Sequence, residues 1–290
     1  MQLIEPFGAG GGPDLIARAL AARLTNVWAA PVSVDNHPGA DATAAPAFVA
    51  AARPDGCTLL INTSAHAYSA AIAERLPYDP LDDFVAIAPL SSQPYVLVAS
   101  PSSGLRTLAD LVSAGRARPG RLRFASSGVG TATHLGIEKL NEGLGISAIH
   151  TPAGPTDAGA DTGDRVAAGE ADYAMSPISI AGPLVSAGEL VALGVSGSRR
   201  SRLLPDVPTL AQAGATGFDF PIWYGIWAPS GTPAQIIDAL ARDIATAVAT
   251  PEVRDELLRH DAEPLTMTQA EFTAFVMSES KFAARLLSSG

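Results

Sequence analysis

Four glycines, Gly8, Gly10, Gly11 and Gly12, follow Phe7 almost without interruption and run into Pro13 and Asp14. Backbone N–H groups unobstructed by side chains, set at the positive end of a helix, can receive a carboxylate or a phosphate at close range. A tight turn that binds nothing uses the same residue type, so composition alone leaves both readings open. A dinucleotide fingerprint fails on spacing. Counted from Gly8 its third glycine falls on Pro13, and counted from Gly10 it falls on Leu15, although Asp35 sits about where a ribose-binding acid would stand. No Gly-Lys-Ser/Thr follows, which removes a Walker phosphate loop.

Two further sets of small polar residues could serve an anion. Ser126, Ser127, Gly130, Thr131 and Thr133 place hydroxyls beside the start of a predicted helix, where they either cradle a ligand or simply cap. Thr63, Ser64 and His66 are either ligand donors or residues satisfying their own backbone. The five histidines, His37, His66, His134, His150 and His260, have no H-E-x-x-H spacing, and no G-x-S-x-G elbow occurs, so no metal and no catalytic residue is expected. The acidic pairs Asp82/Asp83 and Asp161/Asp164 read as solvated surface. The single cysteine, Cys57, excludes an internal disulfide and reads as a small buried hydrophobe in the run Cys57 to Ile61.

The elements that must position these residues alternate between short Val/Ile/Leu-rich runs and alanine-rich helical segments, which predicts an α/β protein with mostly parallel strands. Strands are expected at Leu3 to Phe7, Val32 to Val34, Leu59 to Asn62, Tyr95 to Ala99 and Leu122 to Ala125. Helices are expected from Pro13, over Thr131 to Leu140, after Thr232 and Pro233 as caps, and over Thr268 to Leu287. Tyr95 to Ala99 and Ile222 to Trp227 read as crossings between two lobes. In 290 residues, 47% of them hydrophobic, there is enough apolar material for two packed cores. A formal charge of −10 argues against nucleic acid and anionic membrane surfaces as partners. No apolar run approaches the roughly 20 residues of a membrane span. The segment after Met1 has no basic start and apolar core, so the expectation is a cytosolic protein or one whose secretory signal has been removed.

Several motifs together resemble one family. They are Pro-Phe-Gly-Ala-Gly-Gly-Gly-Pro-Asp (6 to 14), Asp-Asn-His-Pro-Gly-Ala (35 to 40), Pro-Asp-Gly-Cys-Thr-Leu-Leu (54 to 60), Leu-Pro-Tyr-Asp-Pro (76 to 80), Phe-Ala-Ser-Ser-Gly-Val-Gly-Thr-Ala-Thr-His-Leu (124 to 135), Leu-Pro-Asp-Val-Pro-Thr (204 to 209) and Ala-Pro-Ser-Gly-Thr-Pro (228 to 233). In order and over nearly the whole chain, these resemble the Bug family, the TctC-like periplasmic receptors of tripartite tricarboxylate transporters. The resemblance implies a type II periplasmic binding-protein fold: two α/β lobes, 1–100 with 225–290 and 101–224, joined by two crossing strands, with a ligand cleft that closes. It also implies a periplasmic location with the signal peptide removed, a monomer, no cofactor, and membrane partners of the TctA and TctB type.

Carried over residue by residue, the resemblance implies that Phe7, Gly10, Gly11, Gly12 and Asp14 hold one end of a small carboxylate. Thr63, Ser64, His66, Ser126, Ser127, Gly130, Thr131 and Thr133 would hold its carboxyl groups, and Ala153, Gly154 and Ser176 would complete the second lobe's side. Asp14 would orient water or bind an ammonium. The sequence departs from the family pattern at Glu5, in a usually apolar strand position, at Ala153 and Gly154, where Tyr-Lys is common, and at Ser176, where Asp is frequent. Within an expected ligand class of mono-, di- or aromatic carboxylates, these changes favour a monocarboxylate or a bulkier, aromatic acid over citrate. The rival readings are a nucleotide-cofactor enzyme on a doubly wound fold and a periplasmic sensor subunit using the same cleft.

Overall fold

A computed structural model of the chain describes residues 1–10, 12–38, 43–71, 76–152 and 162–289. Gly11, Ala153 and Gly154, three of the expected ligand contacts, lie outside the described residues. In chain order the strands are β1 (Gln2–Glu5), β2 (Ser33–Asn36), β3 (Thr58–Thr63), β4 (Phe84–Gln93), β5 (Tyr95–Ala99) and β6 (Arg123–Ser126), then β7 (Ile149–Pro152), β8 (Tyr173–Pro177), β9 (Val191–Val195), β10 (Ile222–Pro229) and β11 (Glu263–Pro264). The helices are α1 (Gly12–Trp28), α2 (Ala44–Ala50), α3 (Ser64–Ser69), α4 (Leu108–Ala117) and α5 (Ala132–Leu144), then α6 (Thr162–Ala167), α7 (Ile178–Ser186), α8 (Ala234–Val248), α9 (Pro251–Arg259) and α10 (Gln269–Ser289).

The chain forms two units, Met1–Ser92 with Trp223–Ser289, and Gln93–Ile222. The first is built on a six-stranded sheet in the order β11-β4-β10-β3-β1-β2, the second on a five-stranded sheet in the order β7-β6-β8-β5-β9. The first crossing between units falls at Ser92/Gln93, ahead of the position near residue 100 expected from the sequence, because β5 hydrogen-bonds between β8 and β9 of the second sheet. The sheets are also more mixed than the alternating pattern predicts. β1 is parallel to β2 and β3, and β6 to β7 and β8, but β10 is antiparallel to β3, β11 to β4, and β5 to both of its neighbours. Parallel neighbours arise from βαβ crossovers; the strands beside the crossings join their partners by other routes, so nothing imposes that direction.

In the first unit the core gathers Ile4, Leu60, Trp223, Trp227 and Phe272, with Phe272 5.8 and 5.6 Å from the two indole rings. Buried aromatic groups with a polar tip need a partner. Glu279 on α10 supplies it, accepting from Tyr68 Oη at 2.7 Å and Trp223 Nε1 at 3.1 Å and so tying α3, α10 and β10 together. In the second unit Tyr173 on β8 donates to Asn141 Oδ1 on α5 at 2.9 Å. Gly136 lets that helix close on the sheet, since a Cβ there would come within 2.7 Å of Met175 and 2.8 Å of Phe220.

Local signals explain most helix starts. Thr107 and Asp110 form a reciprocal capping box on α4, and Thr131 caps α5, which ends at Gly145 with φ +64°. Two expectations are corrected. Thr232 does not cap α8: its hydroxyl donates to Pro229 O, and Pro233 is the capping position. Cys57 is exposed rather than buried, because it lies in a turn held by Asp55 and the strand begins at Thr58. No helix among the described residues is long and apolar enough to cross a membrane.

Candidate functional site

The glycine loop leaves the end of β1 and opens α1. Gly10 has φ +83°, a conformation that calls for glycine, and open space where a Cβ would stand, which leaves its backbone exposed. The loop is braced from beneath by Asp14, which is buried. Its Oδ2 accepts from Gly10 N and from Arg18 Nε, each at 2.8 Å, and its Oδ1 accepts from Asn36 Nδ2 at 3.0 Å. Asn36 also reaches Phe7 O at 3.2 Å and Glu5 Oε1, while its own Oδ1 accepts from Arg18 Nη2 at 2.9 Å. Burial pushes the Asp14 carboxyl up, but Arg18, the Gly10 amide and Asn36 together outweigh it and hold the group well below the usual carboxylate range. Both Asp14 oxygens are therefore engaged by the protein, and the residue fixes the shape of the loop.

Glu5, the departure noted in the sequence, lies fully buried next to this brace, with Oε2 lacking a hydrogen-bond partner. Burial first, and the negative charge of Asp14 second, push its carboxyl up to about 8. Glu5 is thus held toward its protonated form beside the ionised Asp14. Sequence reasoning flagged Glu5 but missed Arg18 and Asn36. The i,i+4 spacing of Asp14 and Arg18 was a signal for the first.

Thr63, Ser64 and His66 sit where β3 turns directly into α3. Thr63 Oγ1 caps Ala65 N at 3.2 Å, and Ser64 Oγ is buried without a partner. His66 is enclosed by Phe84 and Trp227, with ring centres at 4.6 and 4.8 Å, and by Tyr78 at 6.4 Å. Burial depresses its pKa to about 3, with only the Pro80 carbonyl acting the other way, so it is a neutral core ring. An aromatic enclosure rewards an uncharged ring, and both ring nitrogens of His66 are buried with no hydrogen-bond partner among the described residues.

In the second unit, Ser126 ends β6 and the segment Ser127 to Thr131 leads into α5. Thr133 Oγ1 accepts from Ser127 N at 3.0 Å, Thr131 Oγ1 donates to Gly128 O at 2.7 Å, and Gly128 N donates to Ser126 Oγ at 3.1 Å. Gly130, with φ +80°, donates its N–H to His134 Nδ1 at 3.2 Å, which places that ring's proton on Nε2, 3.8 Å from Glu138. Ser126 Oγ meets His150 Nε2 at 2.6 Å, and the rings of Phe124, His150 and His134 stack, the two imidazoles 4.1 Å apart. Burial, His134 and Arg165 together lower His150 to about 4. The hydroxyls expected to cradle an anion thus shape the loop; what faces solvent is Ser127 and Val129, beside the first-turn amides of α5, which have no intrahelical acceptor. Ser176 is fully buried on β8, opposite Val96.

A mixed-sheet α/β unit with a glycine-bearing loop at a helix start, joined to a second mixed-sheet α/β unit by two chain crossings, defines the periplasmic binding-protein class. Residues 16–289 match the family described as the tripartite tricarboxylate transporter family receptor, TctC, and the chain belongs to it. Protein BugT of Bordetella pertussis is 33% identical over 284 residues, 96% of this chain and 85% of that protein. Among solved structures, Rhodopseudomonas palustris Rpa4515 with adipate has a TM-score of 0.82 at 28% identity, covering 99% of this chain and 95% of that one. MatC from the same species, with bound malate, has a TM-score of 0.79 at 28% identity, covering 99% and 98%.

Proposed function

We infer that this protein is a periplasmic receptor that captures a small carboxylic acid and hands it to a TctA/TctB-type membrane transporter, making and breaking no bond. The observation that carries the reading is the glycine loop: its outward face is open at Gly8 and Gly10, it precedes a 17-residue helix, and a buried charged brace holds it in place. Such a loop offers backbone donors to an anion with little ordering left to do on binding. The relatives solved with adipate and malate support linear dicarboxylates as ligands, alongside the monocarboxylates and aromatic acids favoured by the sequence. The nucleotide-enzyme alternative draws no support from Asp35, which is exposed and paired with His37 at 3.0 Å.

Thermal unfolding against dicarboxylates, tricarboxylates, aromatic acids and amino acids tests the reading. Ligand at about 100 times its Kd adds roughly 2.7 kcal/mol to the folded state, enough to raise Tm by several degrees. A selective rise with one acid class supports the receptor and names its ligand; no rise in any class, repeated after unfolding and refolding to remove a carried ligand, contradicts it. Uptake of the identified acid by cells with and without the gene tests delivery.

A further inference from the structure

The geometry points to Arg165 as a positioning residue that holds the ends of two adjacent strands of the second unit, β6 and β7, and places a cation behind them, so that this unit's contacts favour an ionised acid. The inference rests on the receptor reading and deepens it. No arginine stood out in the sequence as a partner for an anion; in the fold, Arg165 on α6 is 7% exposed. A buried guanidinium needs acceptors. Its Nη1 donates to Ser126 O at 3.3 Å and to Thr151 O at 3.1 Å, and its Nε to Glu170 Oε2 at 2.9 Å.

The two carbonyls belong to adjacent parallel strands, β6 and β7, paired in the register Ala125 with Thr151 and Ser126 with Pro152. Ser126 is the last residue of β6 and Thr151 the penultimate residue of β7, so one side chain holds both strand exits. Ser126 is gripped from two directions, by Arg165 at its carbonyl and by His150 at its hydroxyl. The helix carrying Arg165 is itself anchored, since Thr162 Oγ1 donates to Met175 O at 2.6 Å. Glu170, the carboxylate partner, is half exposed, so water screens that pair more than it screens the buried end of the guanidinium. Arginine's planar fork suits this double task, and lysine's point charge does not.

The test is hydrogen–deuterium exchange on ligand-free wild type, Arg165→Lys, Arg165→Met and Glu170→Gln, with an NMR titration of His150. Arg165→Met is expected to speed exchange at least tenfold in both 126–131 and 149–152 and to raise the His150 pKa. Arg165→Lys, which keeps the charge without the fork, should loosen both segments while leaving His150 low, and it carries the test if the methionine variant does not fold. Glu170→Gln should leave both segments as in wild type. Unchanged exchange, or loosening of one segment alone, overturns the positioning role. Calorimetry with adipate, or with whichever panel acid wild type binds, should show Arg165→Met at least tenfold weaker and Arg165→Lys less so; full affinity in Arg165→Met overturns the charge role. Wild type that binds no acid overturns the receptor reading, while the exchange result stands independently of it.

Discussion

Asp14 shows how a residue at a ligand loop can act without facing the ligand. Its carboxylate collects Gly10 N, Arg18 Nε and Asn36 Nδ2, and asparagine could not accept from all three. Asp14→Asn is therefore expected to cost about 2 kcal/mol, the scale of a hydrogen bond to a charged group, and to weaken acid binding, read by urea unfolding and by calorimetry. Gly10→Val should lower Tm modestly, because φ +83° is strained for a branched residue, and abolish binding in the folded protein, because the side chain would stand on the open face. Unchanged affinity would remove this loop from the site. Glu5 gives a pH dependence with a definite sign. Its folded pKa of about 8 lies above the ordinary value of 4.5, so the folded state binds the extra proton between those limits and stability falls as pH rises through that window. The groups facing it are Asp14 and Arg18 from α1, Asn36 from β2 and Tyr224 from β10. Glu5→Gln should remove this slope, and urea unfolding from pH 5 to 8 that declines equally in both proteins would assign it elsewhere.

At the scale of elements, strand–loop–helix order was legible because it is written locally. Pro13 and Asp14 mark the start of α1, Thr131 that of α5, and hydrophobic spacing marks α8 and α10. Strand direction was not legible, since β5 and β10 have the same composition whether they run parallel or antiparallel to their neighbours. The surroundings of His66 were not legible for a related reason: its enclosure draws on Tyr78, Phe84 and Trp227, from three separate stretches of chain. Helix-to-sheet distance is likewise a tertiary quantity. Gly136→Val would force a branched side chain against Met175 and Phe220, and a loss of about 1–3 kcal/mol is expected in denaturant unfolding, with α5 as the first segment to lose exchange protection.

For the whole molecule, the two crossings of the chain matter most, and one serine in the second unit touches the segments beside both. Ser196 Oγ accepts from Tyr95 N at 2.9 Å and donates to Phe220 O at 2.7 Å, while Ser196 also exchanges backbone bonds with both residues. Ser196→Ala removes an acceptor and a donor from a fully buried place, so unfolding should become about 1–3 kcal/mol easier; an unchanged midpoint would mean that the backbone bonds suffice. The sequence by itself determined the α/β class, the glycine loop and the family, because these depend on residue types within short windows. Only the tertiary structure decided that Asp14 faces inward, that Glu5 is buried beside it with its carboxyl pushed up, that Cys57 is exposed and that Arg165 binds the ends of two strands at once. Cys57 apart, which a local turn exposes, each of those depends on burial and on partners distant in the chain, which the fold alone brings within hydrogen-bonding distance.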